Sequence, residues 1–209
     1  MFRKTSLLVG MLALTLIVPQ AYAAQGDWML GLHAGTGIPL GDFKDAAKVG
    51  FLGGVDVGYF ATENVVIGID GSFVSNSGSD LLNDGLTAAA TAIEGTPTEV
   101  TGKFTMIQGG AHLKYMFPVA TESSMSPYVV VGLGVYNNKF KTESSNASYV
   151  GDVSDTKFGG RGGLGVSYKA GENMGVGVEG AFHYINTEGS STQYVALQAA
   201  LTFNMSNPK

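Results

Sequence analysis

The sequence predicts an all-β fold, an eight-stranded antiparallel up-and-down transmembrane β-barrel, and three observations carry that expectation. The first is alternation. In Tyr194 to Phe203, Val195, Leu197, Ala199, Leu201 and Phe203 share one parity, and Tyr194, Ala196, Gln198, Ala200 and Thr202 the other. Side chains alternate across a strand, so this segment has one apolar face, and the pattern recurs upstream. The second is composition: 209 residues with 31 glycines, 44% hydrophobic and only 14% charged, more glycine than a globular core needs. The third is the leader. Arg3 and Lys4 precede an apolar run from Leu7 to Val18, and Ala21-Tyr22-Ala23 presents the small residues a signal peptidase reads.

Residues 1–23 are therefore expected to be a signal peptide, with the barrel domain in 24–209. No Cys follows the expected cleavage site, so no lipoprotein anchor is expected, and without cysteine there is no disulfide or thiol chemistry. No later segment holds the ~18 uninterrupted apolar residues of a membrane helix. The mature chain would thus be in a membrane as strands. Net charge is -5 and becomes more negative once Arg3 and Lys4 leave, so no nucleic-acid partner is expected.

The strands follow in order. Trp28 to Gly37 sets Trp28, Leu30, Leu32 and Ala34 against Met29, Gly31, His33 and Gly35. Phe51 to Phe60 sets Phe51, Val55, Val57 and Tyr59 against Gly54, Asp56 and Gly58. After the tight turn Ala61 to Asn64, Val65 to Ser75 sets Val65, Ile67, Ile69 and Phe73 against Gly68, Asp70 and Ser72. A polar stretch, Asn76 to Gly102, leads to Lys103 to Phe117, with Ile107, Ala111, Leu113, Tyr115 and Phe117 opposing Gln108, Gly110, His112 and Lys114. Pro127 to Tyr136 sets Val129, Val131, Leu133 and Val135 against Gly132 and Gly134. Asn137 to Thr156 reads as a second long loop. Lys157 to Lys169 sets Phe158, Leu164, Val166 and Tyr168 against Gly159, Arg161, Gly163, Gly165, Ser167 and Lys169. The turn Ala170 to Asn173 leads to Met174 to Ile185, with Met174, Val176, Val178, Phe182 and Tyr184 against Gly175, Gly177, Glu179, Ala181 and His183.

Strands of about ten residues match a tilted bilayer crossing. Short connections after the second and sixth strands and long ones after the first, third and fifth fit periplasmic turns and external loops. Pro118 to Ser126 and Asn186 to Thr192 differ little in length. A soluble barrel alternates with its faces reversed. Two features favour the membrane. The polar face is mostly glycine, which suits a narrow bore, whereas a solvated face is rich in Lys, Glu and Thr. Aromatics also gather at both ends of the apolar parity: Trp28, Tyr59, Tyr115, Phe117, Tyr168 and Phe203 at the periplasmic end, and Phe51, Phe73, Phe158 and Tyr184 at the outer end. Two such girdles are expected at the two headgroup layers of outer-membrane lipid.

From Trp28 to Phe203 the chain resembles the OmpA/OmpX-type outer-membrane β-barrel family. The resemblance rests on the architecture, the signal sequence and the terminal strand. It implies that the alternate apolar residues ending in Phe203 are read by the barrel-insertion machinery. Asn204 to Lys209 depart from the family, which usually ends at its aromatic residue. No peptidoglycan-binding domain is expected.

Candidate chemistry is sparse. Gly160, Gly162 and Gly165 fit G-x-G-x-x-G, as do Gly175, Gly177 and Gly180. That motif works where a strand turns into a helix facing phosphate, and both copies lie inside expected strands. His33, His112 and His183 have inward parity on separate strands, without metal-ligand spacing, so they read as lumenal hydrogen-bonding groups. No G-x-S-x-G elbow is present. No metal, cofactor or enzymatic activity is expected.

The inward polar set, Asp56, Asp70, His112, Lys114, Arg161, Lys169, Glu179 and His183, is the informative one. Asp56 and Asp70 should lie nearly opposite across a hairpin, where two carboxylates need a cation. Arg161 or Lys114 reaching across the bore would supply it. An internal ion-pair network plugging the barrel is expected, and a narrow water-filled path lined by the same residues is the alternative. In the third connection, Leu81, Leu82, Leu86, Ala89 and Ile93 of Asp80 to Gly95 fit either a short amphipathic helix over the barrel mouth or a plain surface loop. Surface partners would bind through such loops. The function expected is a non-enzymatic outer-membrane scaffold supporting envelope integrity or surface contact. The alternatives are transport of small or hydrophobic solutes, through the bore or the wall, and a soluble periplasmic ligand-binding barrel.

Overall fold

The computed structural model describes residues 24–119, 123–144, 151–187 and 190–205. The expected signal peptide and residues 206–209 lie outside that range. Among the described residues the strands are β1 (Trp28–Leu40), β2 (Gly50–Phe60), β3 (Val65–Ser77), β4 (Val100–Met116), β5 (Met125–Ser144), β6 (Asp152–Lys169), β7 (Met174–Thr187) and β8 (Ser190–Met205). Each pairs antiparallel with its neighbours in sequence, and β8 pairs with β1 to close the barrel. Closure leaves no strand edge unpaired, which is what a sheet in hydrocarbon requires.

The faces are apolar outside and charged inside. Leu133 and Phe158 are 77% and 78% exposed, whereas Asp70 and Glu179 are each 7% exposed. A soluble barrel needs the reverse, so the periplasmic ligand-binding reading is set aside.

Two short turns carry their own hydrogen bonds. The Thr62 hydroxyl accepts from the backbone N–H groups of Asn64 and Val65. At the other turn, the N–H groups of Ala170 and Gly171 both donate to the Met174 carbonyl. Both glycine motifs lie within β6 and β7, on paired strand with no helix to follow.

Several boundaries differ from the sequence reading. Most of Asn137 to Thr156 is strand, because β5 runs on to Ser144 against a β6 that starts at Asp152. Polar composition concealed this: outside the bilayer a strand needs no apolar face. Asn186 to Thr192 likewise belongs mostly to β7 and β8, so the last outer connection is short, while the periplasmic link between β4 and β5 is longer. The expected alternation of loop lengths fails at that pair.

The first connection carries the short α1 (Phe43–Ala46) and the third carries α2 (Asp80–Glu94). Ser79 caps α2, its hydroxyl accepting from the Leu82 N–H at 3.1 Å, and Gly95 ends it in the left-handed region at φ 70°. The helix rests against β4. The Asn83 side chain accepts from the Gly102 N–H, and Thr87 exchanges hydrogen bonds with Val100. Leu82, Leu86 and Ala90 turn inward, but Leu81, Ala89 and Ile93 face solvent. Only part of the expected apolar face is therefore the packed one. Polar contacts from Asn83 and Thr87, invisible to hydropathy, chose the other orientation.

Candidate functional site

The lumen collects the chemistry, and register decides how. Five large polar side chains each stand opposite a glycine on a neighbouring strand: Asp56 opposite Gly31, His33 opposite Gly54, His112 opposite Gly68, Arg161 opposite Gly132, and Tyr128 opposite Gly165. In an eight-stranded bore, space for a long side chain comes from the absence of its neighbour's. A side chain at Gly132 would meet Arg161 Nε at 3.2 Å.

Asp56 and Asp70 are direct register partners on β2 and β3. Their charges are drawn to different groups. His112 Nδ1 lies 3.1 Å from Asp70 Oδ1, and His33 Nδ1 lies 3.7 Å from Asp56 Oδ1. Arg161 crosses the bore, with Nη2 3.1 Å from Asp70 Oδ1 and Nη1 3.9 Å from Glu179 Oε1. Glu179 then accepts from the Tyr128 hydroxyl and from Gln198 Nε2, each at 3.0 Å. Ser72 donates to Gln108 at 2.8 Å on the outer side of Asp70. Asp70 and Glu179, held this way, avoid the several kcal/mol that an isolated buried charge costs.

Lys114 takes a different place from the one expected. Its Nζ stands 4.6 Å over the Tyr128 ring, a cation–π contact, and forms no ion pair within 4 Å of Asp56 among the described residues. Lys169 ends β6 at the periplasmic rim, where its backbone N–H donates to the Ser124 carbonyl.

His183 belongs to a separate layer nearer the loops. Its Nδ1 is 3.0 Å from both the Tyr136 and the Tyr194 hydroxyls, and the Tyr194 ring stacks on it at 4.3 Å. Around this trio pack Leu52, Val74, Met106, Ile185 and Ala196, with Phe43 of α1 against them. Met29, Phe60 and Val66 form a smaller apolar layer toward the periplasmic end. The charged network thus lies on the periplasmic side of the larger apolar layer, and beyond it Met29, Phe60 and Val66 cover one wall while Ser167, Thr202 and Asn204 line the other.

The sequence reading missed these layers, together with Tyr128, Tyr136, Tyr194 and Gln198. A signal was present: Leu52, Phe60, Val66, Val74, Met106 and Ile185 are apolar residues on the otherwise polar parity. Among the described residues no group of three or more His, Asp or Glu side chains is placed to hold a metal ion.

Of the ten aromatics assigned to girdles, Trp28, Tyr59, Tyr115, Phe117, Phe51, Phe73, Phe158 and Tyr184 are exposed on the outer wall, while Tyr168 and Phe203 are half-buried there. Trp28 packs on Tyr59 and Tyr115 on Phe117, each with ring centroids 5.3 Å apart.

No curated protein matches the sequence. Among solved structures, Neisserial surface protein A is similar with a TM-score of 0.56 and 16% identity, over 84% of this chain and 96% of that one. The outer membrane protein OprG from Pseudomonas aeruginosa is similar with a TM-score of 0.54 and 13% identity, over 90% of this chain and all of that one. At these identities the likeness concerns the fold. The profile of the outer membrane protein beta-barrel domain matches residues 8–207, so the chain belongs to that family and its place is the cell outer membrane.

Proposed function

We propose that the protein is a sealed, non-enzymatic scaffold of the outer membrane, supporting the envelope or surface contact through its outer loops. The layered lumen carries this reading. Passage along the bore would have to cross the Asp70–Arg161–Glu179 bridge and the apolar layer around Leu52, Met106 and Ile185. An ion meeting the outer apolar layer faces the cost of leaving water. The buried charges then act as internal cross-links between β3, β4, β6, β7 and β8, with a lumenal hollow of about 80 Å³ left on their periplasmic side.

The terminal strand has the features the insertion machinery would read. β8 pairs with both β7 and β1, so it completes the barrel.

Passage of a hydrophobic solute through the wall is a second reading, and one feature favours it. A hollow of about 610 Å³ opens on the lipid-facing side, over Ala111, Gly160 and Gly162 and between Leu133, Phe182 and Tyr184. Behind it the ladders of β4 through β7 are continuous, which is why the sealed reading is preferred. Efflux of a small neutral solute from proteoliposomes tests it. The sealed scaffold predicts leakage no faster than from protein-free vesicles, and saturable efflux of a hydrophobic solute would transfer the function to the wall.

A further inference from the structure

We propose that Lys103, Lys139 and Lys141, on the outward face of β4 and β5 just beyond the lipid-facing band, form a binding site for the phosphate groups of outer-leaflet glycolipid. Lys103 and Lys141 are direct register partners on antiparallel strands, and Lys139 lies two residues from Lys141 on the same face. Such a juxtaposition sets like charges about 5 Å apart at Cβ and is destabilising unless an anion lies between them. Lys139 has an anion already: its Nζ is 2.6 Å from Asp152 Oδ2. Lys103 and Lys141 form no ion pair within 4 Å among the described residues, although Asp152 is the register partner of Lys141. Asp152, the carboxylate in register with Lys141, is spent on Lys139, and Glu143, the next outward residue of β5, forms no ion pair with Lys103 or Lys141 within 4 Å among the described residues.

Position identifies the anion. The apolar wall of this sector ends at Ile107, Val135 and Phe158, all exposed. One outward-facing step beyond stand Thr105, Asn137 and Thr156, with Asn137 donating to the Ser154 and Thr156 hydroxyls. The lysines come next, at the level where a lipid's acyl chains give way to its headgroup. Basic residues beside a membrane surface recruit anionic headgroups, and lysine stems extend along apolar surface toward them. The protein is acidic as a whole, so three outward lysines on two successive outward register positions are not a general surface property. A phosphate monoester, with several acceptor oxygens, can accept from more than one ammonium at once.

The test is native mass spectrometry of the refolded full chain, released from nanodiscs containing either phosphorylated lipid A or the same lipid A with its phosphates removed. The phosphorylated lipid should be retained preferentially, and the double variant Lys103→Gln/Lys141→Gln should weaken that retention about 30-fold. A heat-dependent gel shift confirms that the variant is folded, and Lys103→Arg/Lys141→Arg should keep the affinity. Equal retention of the dephosphorylated lipid would overturn the proposal, as would an unaffected Gln double variant. Full displacement by millimolar inorganic phosphate would show a free-anion site instead and overturn the assignment to lipid.

Discussion

Arg161 and Asp70 meet across the barrel, 91 positions apart in sequence, with Nη2 and Oδ1 at 3.1 Å. They stand on β6 and β3, which share no ladder, so this contact joins opposite walls. The same guanidinium approaches Glu179 on β7. Removing one member of a buried pair leaves the other uncompensated, at a cost of about 3–5 kcal/mol. Arg161→Ala should therefore lower the denaturant midpoint of the refolded barrel markedly, and Arg161→Ala/Asp70→Ala should recover part of the loss. A single variant as stable as wild type would remove the network's central member.

Glycines of β6 divide by the face they occupy. Gly165 stands opposite Tyr128 on one side and Glu179 on the other, and a side chain there would collide with the Tyr128 ring. Gly162, three residues earlier and facing outward, has nothing within 4 Å of where its Cβ would be. Gly165→Val should destabilise by roughly 1–3 kcal/mol, while Gly162→Val should be neutral or slightly stabilising, since valine suits a strand. Urea unfolding in lipid reads both. The reverse order would mean that the faces are misassigned.

Helix α2 should be dispensable for membrane assembly. It packs on β4 and α1, outside the lumenal network. Deleting Asp80 to Glu94 should leave insertion and the heat-dependent gel shift intact, and loss of assembly would show that the helix belongs to the barrel's folding core.

Capping gives a finer test of the same helix. Ser79→Ala removes the hydroxyl that accepts from Leu82 and also donates to the Asp45 carbonyl at 2.6 Å. A lost N-cap costs about 1 kcal/mol. Hydrogen exchange over residues 80–94 should accelerate about fivefold while the β4 ladder at Ile107 to Lys114 stays protected. Unchanged exchange in α2 would show that its packing on β4 holds it without the cap.

What was legible in the sequence follows from what the bilayer demands. Lipid forces strict alternation, so the strands and the outward set from Trp28 to Phe203 could be read directly. The Asp56–Asp70 register also followed from counting across a four-residue turn. Beyond the bilayer that constraint lapses, which is why the polar outer parts of β5 and β6 looked like loop. Partner choice inside the bore was the least legible. Arg161 and Lys114 were equal candidates by parity, and only the positions of Gly132 and Tyr128 decided which one spans the bore and which lies on a ring. The apolar layers were overlooked for another reason: apolar residues on an inward face break the rule that located the strands.

Single-channel conductance of the refolded protein in a planar bilayer tests the sealed bore most directly, with strand-rich circular dichroism confirming the fold. The account predicts silence from folded protein at every applied voltage. Discrete, reproducible steps would contradict it, for they would mean that water and ions pass the Arg161 bridge and the apolar layer at Leu52.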